Sequence, residues 1–309
     1  MTLTVEVAPQ RTNEERGLIA ASVAVFVWGL GPQFVRAMGV STPTVVVYRF
    51  AFGTPLLVIV ALLLGGRFTR DLIAAAVASG VMFGISMIIG FAAVLHTSIA
   101  NATLIGNTMP VLVVVIAKFV YHEHVRIRQI IAAVVAVFGV VIVVIGAGKT
   151  ADASLVGDTL AIMNVGLWTA YFLRMKRLRD RGLHSWTLLA CVSTIASLVV
   201  IPPCLLVSDD LGAVAGRDWL YVAGMVIGPG LLGHGLMTWA SRHLRLTVSS
   251  LLTLASPVVS GVGAWLWLGQ SMSPVQVLGA TVVLVALAGI AFNARIEAIS
   301  AAAMSDPPE

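Results

Sequence analysis

Residues 110–117 read PVLVVVIA, and residues 257–264, at an offset of 147 positions, read PVVSGVGA. The match extends well beyond this stretch without a gap, and polar pairs at the same offset are Asp71 with Asp218, His96 with His243, and Gln129 with Gln276. Farther upstream, an offset of 140 aligns Trp28 with Trp168. The chain is therefore predicted to contain two copies of one structural unit.

The composition places this unit in a membrane. Hydrophobic residues make up 59% of the chain and charged residues 11%, and the mean hydropathy is +0.99, values outside the range of soluble domains. Continuous apolar runs of about 20 residues, enough to cross a hydrocarbon core of ~30 Å as helices, recur along the chain. The predicted fold is an all-α integral membrane protein with ten transmembrane helices, at about 17–38, 43–65, 71–95, 98–120, 129–147, 157–176, 186–207, 218–239, 246–268 and 274–294.

Ten spans divide into five for each copy. An odd number of crossings turns the second copy upside down relative to the first, an arrangement typical of secondary transporters. We therefore predict two inverted five-helix repeats, residues 17–147 and 157–294, between a tail at 1–16 and a tail at 295–309.

The basic residues predict the orientation of these spans, because Lys and Arg are retained on the cytoplasmic side during insertion. If the N-terminus lies inside, most of the 19 Lys and Arg residues fall in inner loops. This predicts a multi-pass protein of the inner (plasma) membrane with both termini cytoplasmic. The net charge of +5 is spread over these loops instead of forming one basic face, which argues against a nucleic-acid partner.

Several short motifs, in this order and partly duplicated, resemble a known transporter family. They are Trp28-Gly29, Pro43 followed by Arg49-Phe50, Asn107-Thr108-Met109-Pro110, and Ala255-Ser256-Pro257. Together with the duplication they resemble the EamA repeats of the drug/metabolite transporter superfamily. The resemblance implies a ten-helix carrier that moves small metabolites, often outward and often amino acids or their relatives, through a cavity between the repeats. No cofactor is expected.

Polar and aromatic side chains within the spans are the candidates for a substrate pathway, since polar groups in a bilayer line water-filled paths or join helices by hydrogen bonds. Asn164, Trp168 and Tyr171 follow one another at i, i+4 and i+7 along one helical stripe, which suits a cavity that stacks a planar or apolar substrate and binds one polar end. Ordinary packing is the alternative interpretation. The full set of candidate substrate-binding residues is Trp28, Gln33, Arg49, Asn101, Thr108, Asn164, Trp168, Tyr171 and His234.

Two of these candidates carry most of the chemistry. Arg49 is a permanent charge inside a span, and no acidic residue is predicted at a comparable depth. Its partner could be a helix-end carbonyl, an amide side chain, the headgroup region, or a substrate carboxylate. His234 is the one group within the spans that could exchange a proton near neutral pH, and a neighbouring carbonyl could equally satisfy it.

Helix-breaking residues predict bending points. Pro110 and its counterpart Pro257 each remove a backbone hydrogen bond within a span. Gly228, Pro229 and Gly230 lie shortly before His234 and predict a flexible segment there. We expect these five residues to act as hinges.

Other motifs do not extend the list. His122-Glu123-His124 lies in a loop without a matching cluster, so no metal site is predicted. Gly148-Lys149-Thr150 resembles the end of a phosphate-binding loop but lacks its first glycine. No nucleophile motif or paired intramembrane carboxylates are present, so the chain is not predicted to be an enzyme.

The sequence thus predicts a secondary transporter of small metabolites, an exporter of amino-acid-like or aromatic compounds that works by alternating access. A multidrug or cationic efflux carrier of the same fold is the alternative, and an intramembrane enzyme is a weaker one. The expected partners are a small-molecule substrate and the lipid bilayer, with a homodimer possible.

Overall fold

The computed structural model describes residues 8–97, 99–146, 154–269 and 272–303, with side chains except those of 8–12, 99–101, 268 and 290–303. All regular structure in these ranges is helical. The α-helices are α1 Ala8–Gly29, α2 Gly31–Ala37, α3 Thr42–Leu63, α4 Arg70–His96, α5 Ile99–Gly106, α6 Met109–Val120, α7 Ile127–Gly146, α8 Leu155–Asp180, α9 Ser185–Val207, α10 Asp218–Met225, α11 His234–Ala240, α12 Leu246–Leu252, α13 Ser256–Leu268 and α14 Pro274–Ala303. A π-helix, Val226–Gly233, joins α10 to α11, and 3-10 turns cover Leu211–Ala213 and Thr253–Ala255.

Eight helical stretches in the described ranges are long and apolar enough to cross a membrane, which confirms an all-helical membrane protein. They are Asn13–Ala37, Thr42–Leu63, Arg70–His96, Ala102–Val120, Ile127–Gly146, Ser185–Val207, Asp218–Ala240 and Leu246–Trp267. Helix α8 is 26 residues long but carries Asp158 and Asn164 among its apolar residues, and the apolar part of α14 is the shorter Pro274–Gly289. The count of ten spans therefore stays a prediction.

Helix α1 begins at Ala8 and so includes residues that the sequence assigns to the N-terminal tail. It is separated from α2 by Leu30 within the first predicted span. Two further interruptions, between α5 and α6 and between α12 and α13, come just before Pro110 and Pro257. They lie at equivalent positions of the sequence repeat. Helix α6 begins at Met109, and α13 begins 147 positions later at Ser256.

The two halves of the chain pack mainly against each other. Helix α3 packs on α9, α1 packs on the π-helix and α11, α4 packs on α8 and α9, α6 packs on α12, and α7 packs on α14. Each of these contacts joins one half to the other. At the α7–α14 contact the backbones come so close that a Cβ atom on Gly139 would lie 3.0 Å from the carbonyl oxygen of Gly279, which explains the small residues there.

The duplicated glutamines have matching structural roles. The backbone N–H of Arg126 donates to Oε1 of Gln129 at 3.0 Å, and the N–H of Ser273 donates to Oε1 of Gln276 at 2.8 Å. Each glutamine thus binds an unpaired backbone donor at the start of its helix, as in a capping box. Gln129 and Gln276, which match each other in the sequence repeat, therefore cap α7 and α14 respectively.

Glu123, from the His122-Glu123-His124 motif, has a structural role as well. Its carboxylate accepts hydrogen bonds from the backbone N–H groups of Leu246 and Thr247, at 2.8 and 3.2 Å, and from the Thr247 hydroxyl at 2.9 Å. It therefore caps α12 of the other half and complements the positive end of that helix.

Asp210 makes the corresponding connection at the opposite end of the bundle. Its carboxylate accepts from the Ser41 N–H at 2.5 Å, from the Ser41 hydroxyl at 2.7 Å, and from the Thr44 hydroxyl. Thr44 also contacts the Ser208 hydroxyl, and the Tyr48 hydroxyl donates to the Leu211 carbonyl at 2.7 Å. We call Ser41, Thr44, Ser208 and Asp210 the Asp210 cluster. It joins the start of α3 to the loop after α9.

The hydrogen bonds from Thr44 and Ser41 lower the pKa of Asp210 from 3.8 to about 2. They favour the carboxylate in the folded protein, so their stabilisation is present above pH 3.8 and is lost as the pH falls towards 2. We expect Asp210→Asn to lower the thermal unfolding midpoint at pH 5 and to leave it less sensitive to acidification to pH 2.5. The measurement is thermal unfolding of the purified protein in detergent. Asp209→Asn, at the exposed neighbouring position, should behave as wild type, and equal acid sensitivity of wild type and Asp210→Asn would contradict the prediction.

Candidate functional site

His234 lies at the centre of a buried aromatic cluster built by four parts of the fold. Its ring centroid is 5.0 Å from that of Trp28 in α1, 5.1 Å from that of Phe83 in α4, and 6.2 Å from that of Trp168 in α8. Phe83 in turn stacks on Tyr171 at 5.1 Å with an angle of 17° between the rings. We call these five residues the His234 cluster, and it draws side chains from both halves of the chain.

The π-helix Val226–Gly233 places His234 in this cluster. Gly228, Pro229 and Gly230 all lie within it, so the segment predicted to be flexible is a wider helical turn that ends immediately before His234. Such π-helical turns are rare and are often found at functional sites.

Arg49 in α3 provides the charge. Its Nη2 lies 3.0 Å from Nε2 of His234, and its guanidinium carbon lies 5.9 Å from the centroid of the Phe50 ring. Arginine can only donate hydrogen bonds, so Nε2 of His234 must accept, and the imidazole is then neutral with its proton on Nδ1. Within the described residues, no acidic side chain bonds to Arg49. A histidine ring was not among the partners expected for Arg49 from the sequence.

Two further donors in the cluster have no hydrogen-bond partner among the described residues. The indole N–H of Trp28 is buried and makes no hydrogen bond to the part of the chain that the structure describes. The Tyr171 hydroxyl also makes none to those residues, although the side chain is only 4% exposed. Buried polar groups are normally paired, so the unpaired indole N–H of Trp28, close to the Arg49–His234 pair, is typical of a site that receives a ligand.

Two small cavities flank His234. One is lined by Arg49, Phe50, Gly53, Leu57, Phe83, Leu189, Ser193, Gly230 and His234. The other is lined by Trp28, Trp168, Tyr171, Phe172, Met175, His234, Met237, Thr238 and Ser241. Each has a volume of about 20 Å³, enough for one water molecule, and His234 is the one residue that lines both. A metabolite needs a far larger space than either of these cavities provides in this conformation.

The structure brings together five of the predicted site residues and separates the others. Trp28, Arg49, Trp168, Tyr171 and His234 meet in or beside the cluster. The separated residues are Gln33, which donates to the Ser260 carbonyl at 2.6 Å, Asn164, which accepts from the Ser86 hydroxyl at 2.6 Å, and Thr108, which is exposed and donates to the Ile105 carbonyl. The side chain of Asn101 lies outside the described residues.

The hinge prolines lie at helix starts. Pro110 and Pro257 each occupy the first turn of a helix, α6 and α13 respectively, immediately after an interruption. This is where a missing N–H is tolerated best. Their use as hinges during transport stays a prediction.

Phe83 is the functional candidate that sequence reasoning missed. It is an apolar residue in an apolar helix, and nothing in its spacing distinguishes it from lipid-facing phenylalanines. The structure buries it to 3% exposure between His234, Trp168 and Tyr171.

In the described residues, no group of three or more His, Cys, Asp or Glu side chains could hold a metal ion.

Gly233 allows Trp28 to approach His234. A Cβ atom at position 233 would lie 2.5 Å from Nε1 of Trp28, so a larger residue must displace the indole. We expect Gly233→Ala to destabilise the protein by about 1–3 kcal/mol, the usual cost of overpacking. Gly166→Ala is the matched control, because Gly166 is in α8 with no atom within 4 Å of the added Cβ; it should gain about 0.5–1 kcal/mol from helix propensity. Thermal unfolding in detergent measures both, and equal stabilisation by the two substitutions would show that Trp28 is not confined by Gly233.

Comparison with known proteins is consistent with these features. The chain is similar to the pseudopaline exporter CntI of Pseudomonas aeruginosa strain UCBPP-PA14, with 23% identity over 276 residues that cover 87% of this chain and 94% of the relative. CntI of strain PAO1 matches at 22% identity over the same coverage. A solved structure titled "Crystal structure of protein" matches with a TM-score of 0.77 at 19% identity, over 91% of this chain and 98% of the chain in that structure. The two chains therefore share a fold.

The model of the EamA-like transporter family matches the chain twice, at residues 15–145 and 155–292. These two matches span most of the chain. The protein therefore belongs to the EamA-like transporter family and is a membrane transporter of small molecules.

Proposed function

We propose that this protein exports a small organic metabolite by alternating access and binds it at the His234 cluster. The single observation that carries the proposal is the cluster itself: a charged and aromatic site with unpaired donors, assembled from Trp28 and Phe83 of one half and Trp168, Tyr171 and His234 of the other. A site at the interface between halves changes its exposure whenever the halves move relative to each other.

We further propose that the two halves are inverted repeats of five spans each, ten in total. The helix contacts support this, because replacing each helix by its counterpart in the other half gives the same set of contacts. The contact of α1 with the π-helix and α11 corresponds to that of α8 with α4, and the α3–α9, α6–α12 and α7–α14 contacts each correspond to themselves. The repeated capping by Gln129 and Gln276 and the double match of the family model agree with this arrangement.

The proposed direction is outward, from a plasma-membrane protein with both termini in the cytoplasm. The relatives named as exporters, at 22–23% identity, support the direction, and the distribution of Lys and Arg supports the orientation. Movement could be facilitated diffusion, or it could be coupled to protonation of His234, which Arg49 holds neutral in this conformation.

The site favours this function over the alternatives. A carrier of cationic drugs would place a permanent positive charge, Arg49, beside its substrate without a described acidic side chain to offset it. An intramembrane enzyme would need a nucleophile and base in contact, and the described partners of His234 are an arginine and aromatic rings.

Untargeted metabolite profiling of cells and medium tests the proposal. Cells that express the wild type should lose a compound that accumulates in the medium, and Trp168→Ala should reduce this export roughly 2- to 10-fold through loss of ring contacts. His234→Ala should also change the amount of this compound that is exported. Trp265→Ala is the matched control, since Trp265 is 52% exposed and has no described ring contact. Identical profiles for wild type, Trp168→Ala and His234→Ala at equal membrane expression would overturn the proposal.

A further inference from the structure

We propose that Arg49 binds a single carboxylate of the substrate, and that His234 occupies the place of this carboxylate in the empty carrier. The inference rests on the proposed function and adds the chemical class of the substrate. The substrate is then a monoanion with a planar or apolar body that lies against Trp168, Tyr171 and Phe83.

Arg49 and the His234 cluster carry hydrogen-bond donors that no described residue uses. Arg49 has five N–H donors and uses one described hydrogen bond, the one to His234. The Trp28 indole N–H and the Tyr171 hydroxyl add donors that have no described partner. Unused guanidinium donors recognise an acceptor, and a carboxylate provides two oxygens that can take a guanidinium bidentately. The Trp28 and Tyr171 donors line the other cavity beside His234.

The charge at the site also favours an anion. Arg49 is the one permanent charge lining the two described cavities, and its hydrogen-bond partner in this conformation is neutral. A guanidinium in a low-dielectric site is stabilised most by an opposite charge, so a substrate with one negative charge completes the site. A phosphate monoester carries nearly two negative charges, and the described lining offers no second cation.

The arrangement of the two cavities fits a carboxylate that is joined to an aromatic or apolar body. The two cavities lie on either side of His234, which lines both, and Arg49 lines one while Tyr171 and Trp168 line the other. Breaking the Arg49–His234 contact and turning the imidazole away would join them into one space, with the guanidinium at one end and the aromatic rings at the other. An anion that takes the guanidinium therefore opens the space for the body of its own molecule.

The test compares four probes of similar size on the purified full-length protein in detergent. They are 3-phenylpropionate, its neutral amide 3-phenylpropionamide, the cation 3-phenylpropylammonium, and phenyl phosphate. Binding is measured from the tryptophan emission, to which Trp28 and Trp168 contribute. We expect the carboxylate to bind the wild type about 10- to 100-fold more tightly than the amide, the range for a hydrogen bond to a charged group.

The variants separate charge from packing. Arg49→Gln should bind the carboxylate and the amide equally, while Arg49→Lys, which keeps the charge without the bidentate geometry, should retain part of the preference. Arg67→Gln is the matched control, because Arg67 is exposed between α3 and α4, and it should keep the full preference. The elution profile in size-exclusion chromatography establishes that each variant is folded.

The outcomes are distinct. The inference is overturned if the wild type binds none of the probes or binds the amide, the cation or phenyl phosphate as tightly as the carboxylate, or if Arg49→Gln keeps the preference. Export measured in cells distinguishes this from failure of the proposed function. If the wild type exports a neutral or cationic compound, the exporter assignment stands and the carboxylate site is wrong, whereas a wild type that exports nothing removes the exporter assignment.

Discussion

A guanidinium inside a bilayer must have a partner, and the described structure is arranged around the one that Arg49 has. An unpaired arginine at the bilayer centre costs about 2.5–3.5 kcal/mol on insertion scales. The contact with His234 at 3.0 Å supplies an acceptor but no opposite charge. The rings of Trp28, Phe83 and Trp168 around the imidazole keep this acceptor in place. The contact therefore stabilises the empty protein while leaving most of the binding capacity of the guanidinium unused.

The two halves of the chain pack closely around this site. Nearly all major helix contacts join one half to the other, and polar contacts connect the halves at both ends of the bundle, through Glu123 at one end and the Asp210 cluster at the other. Between these ends, each of the two cavities beside His234 has room for one water molecule. Binding of a metabolite therefore requires the space beside His234 to widen, and in the proposed alternating access this occurs as one half moves against the other.

The sequence predicted the helices well because long apolar runs and repeated prolines are local signals. It also selected Trp168, Tyr171 and His234 as site candidates, because aromatic and polar residues deep in a span are conspicuous, and the structure brings these three together. The same criterion selected Gln33 and Asn164, which instead bond to Ser260 and Ser86 on neighbouring helices. The Arg49–His234 pair and the burial of Phe83 depend on how α3, α4 and the π-helix are aligned along one another, and one sequence carries no signal for that alignment.

The central claim, that transport requires the two halves to separate at each end in turn, is tested most directly by a reversible cross-link. Thr44 and Ser208 contact each other through their hydroxyls, so Thr44→Cys with Ser208→Cys, in a protein whose Cys191 and Cys204 are replaced by alanine, can form a disulfide across the Asp210 cluster. Export should stop when this pair is oxidised and return on reduction, and each single-cysteine variant should be unaffected by oxidant. Undiminished export by fully cross-linked protein would contradict alternating access around the His234 cluster.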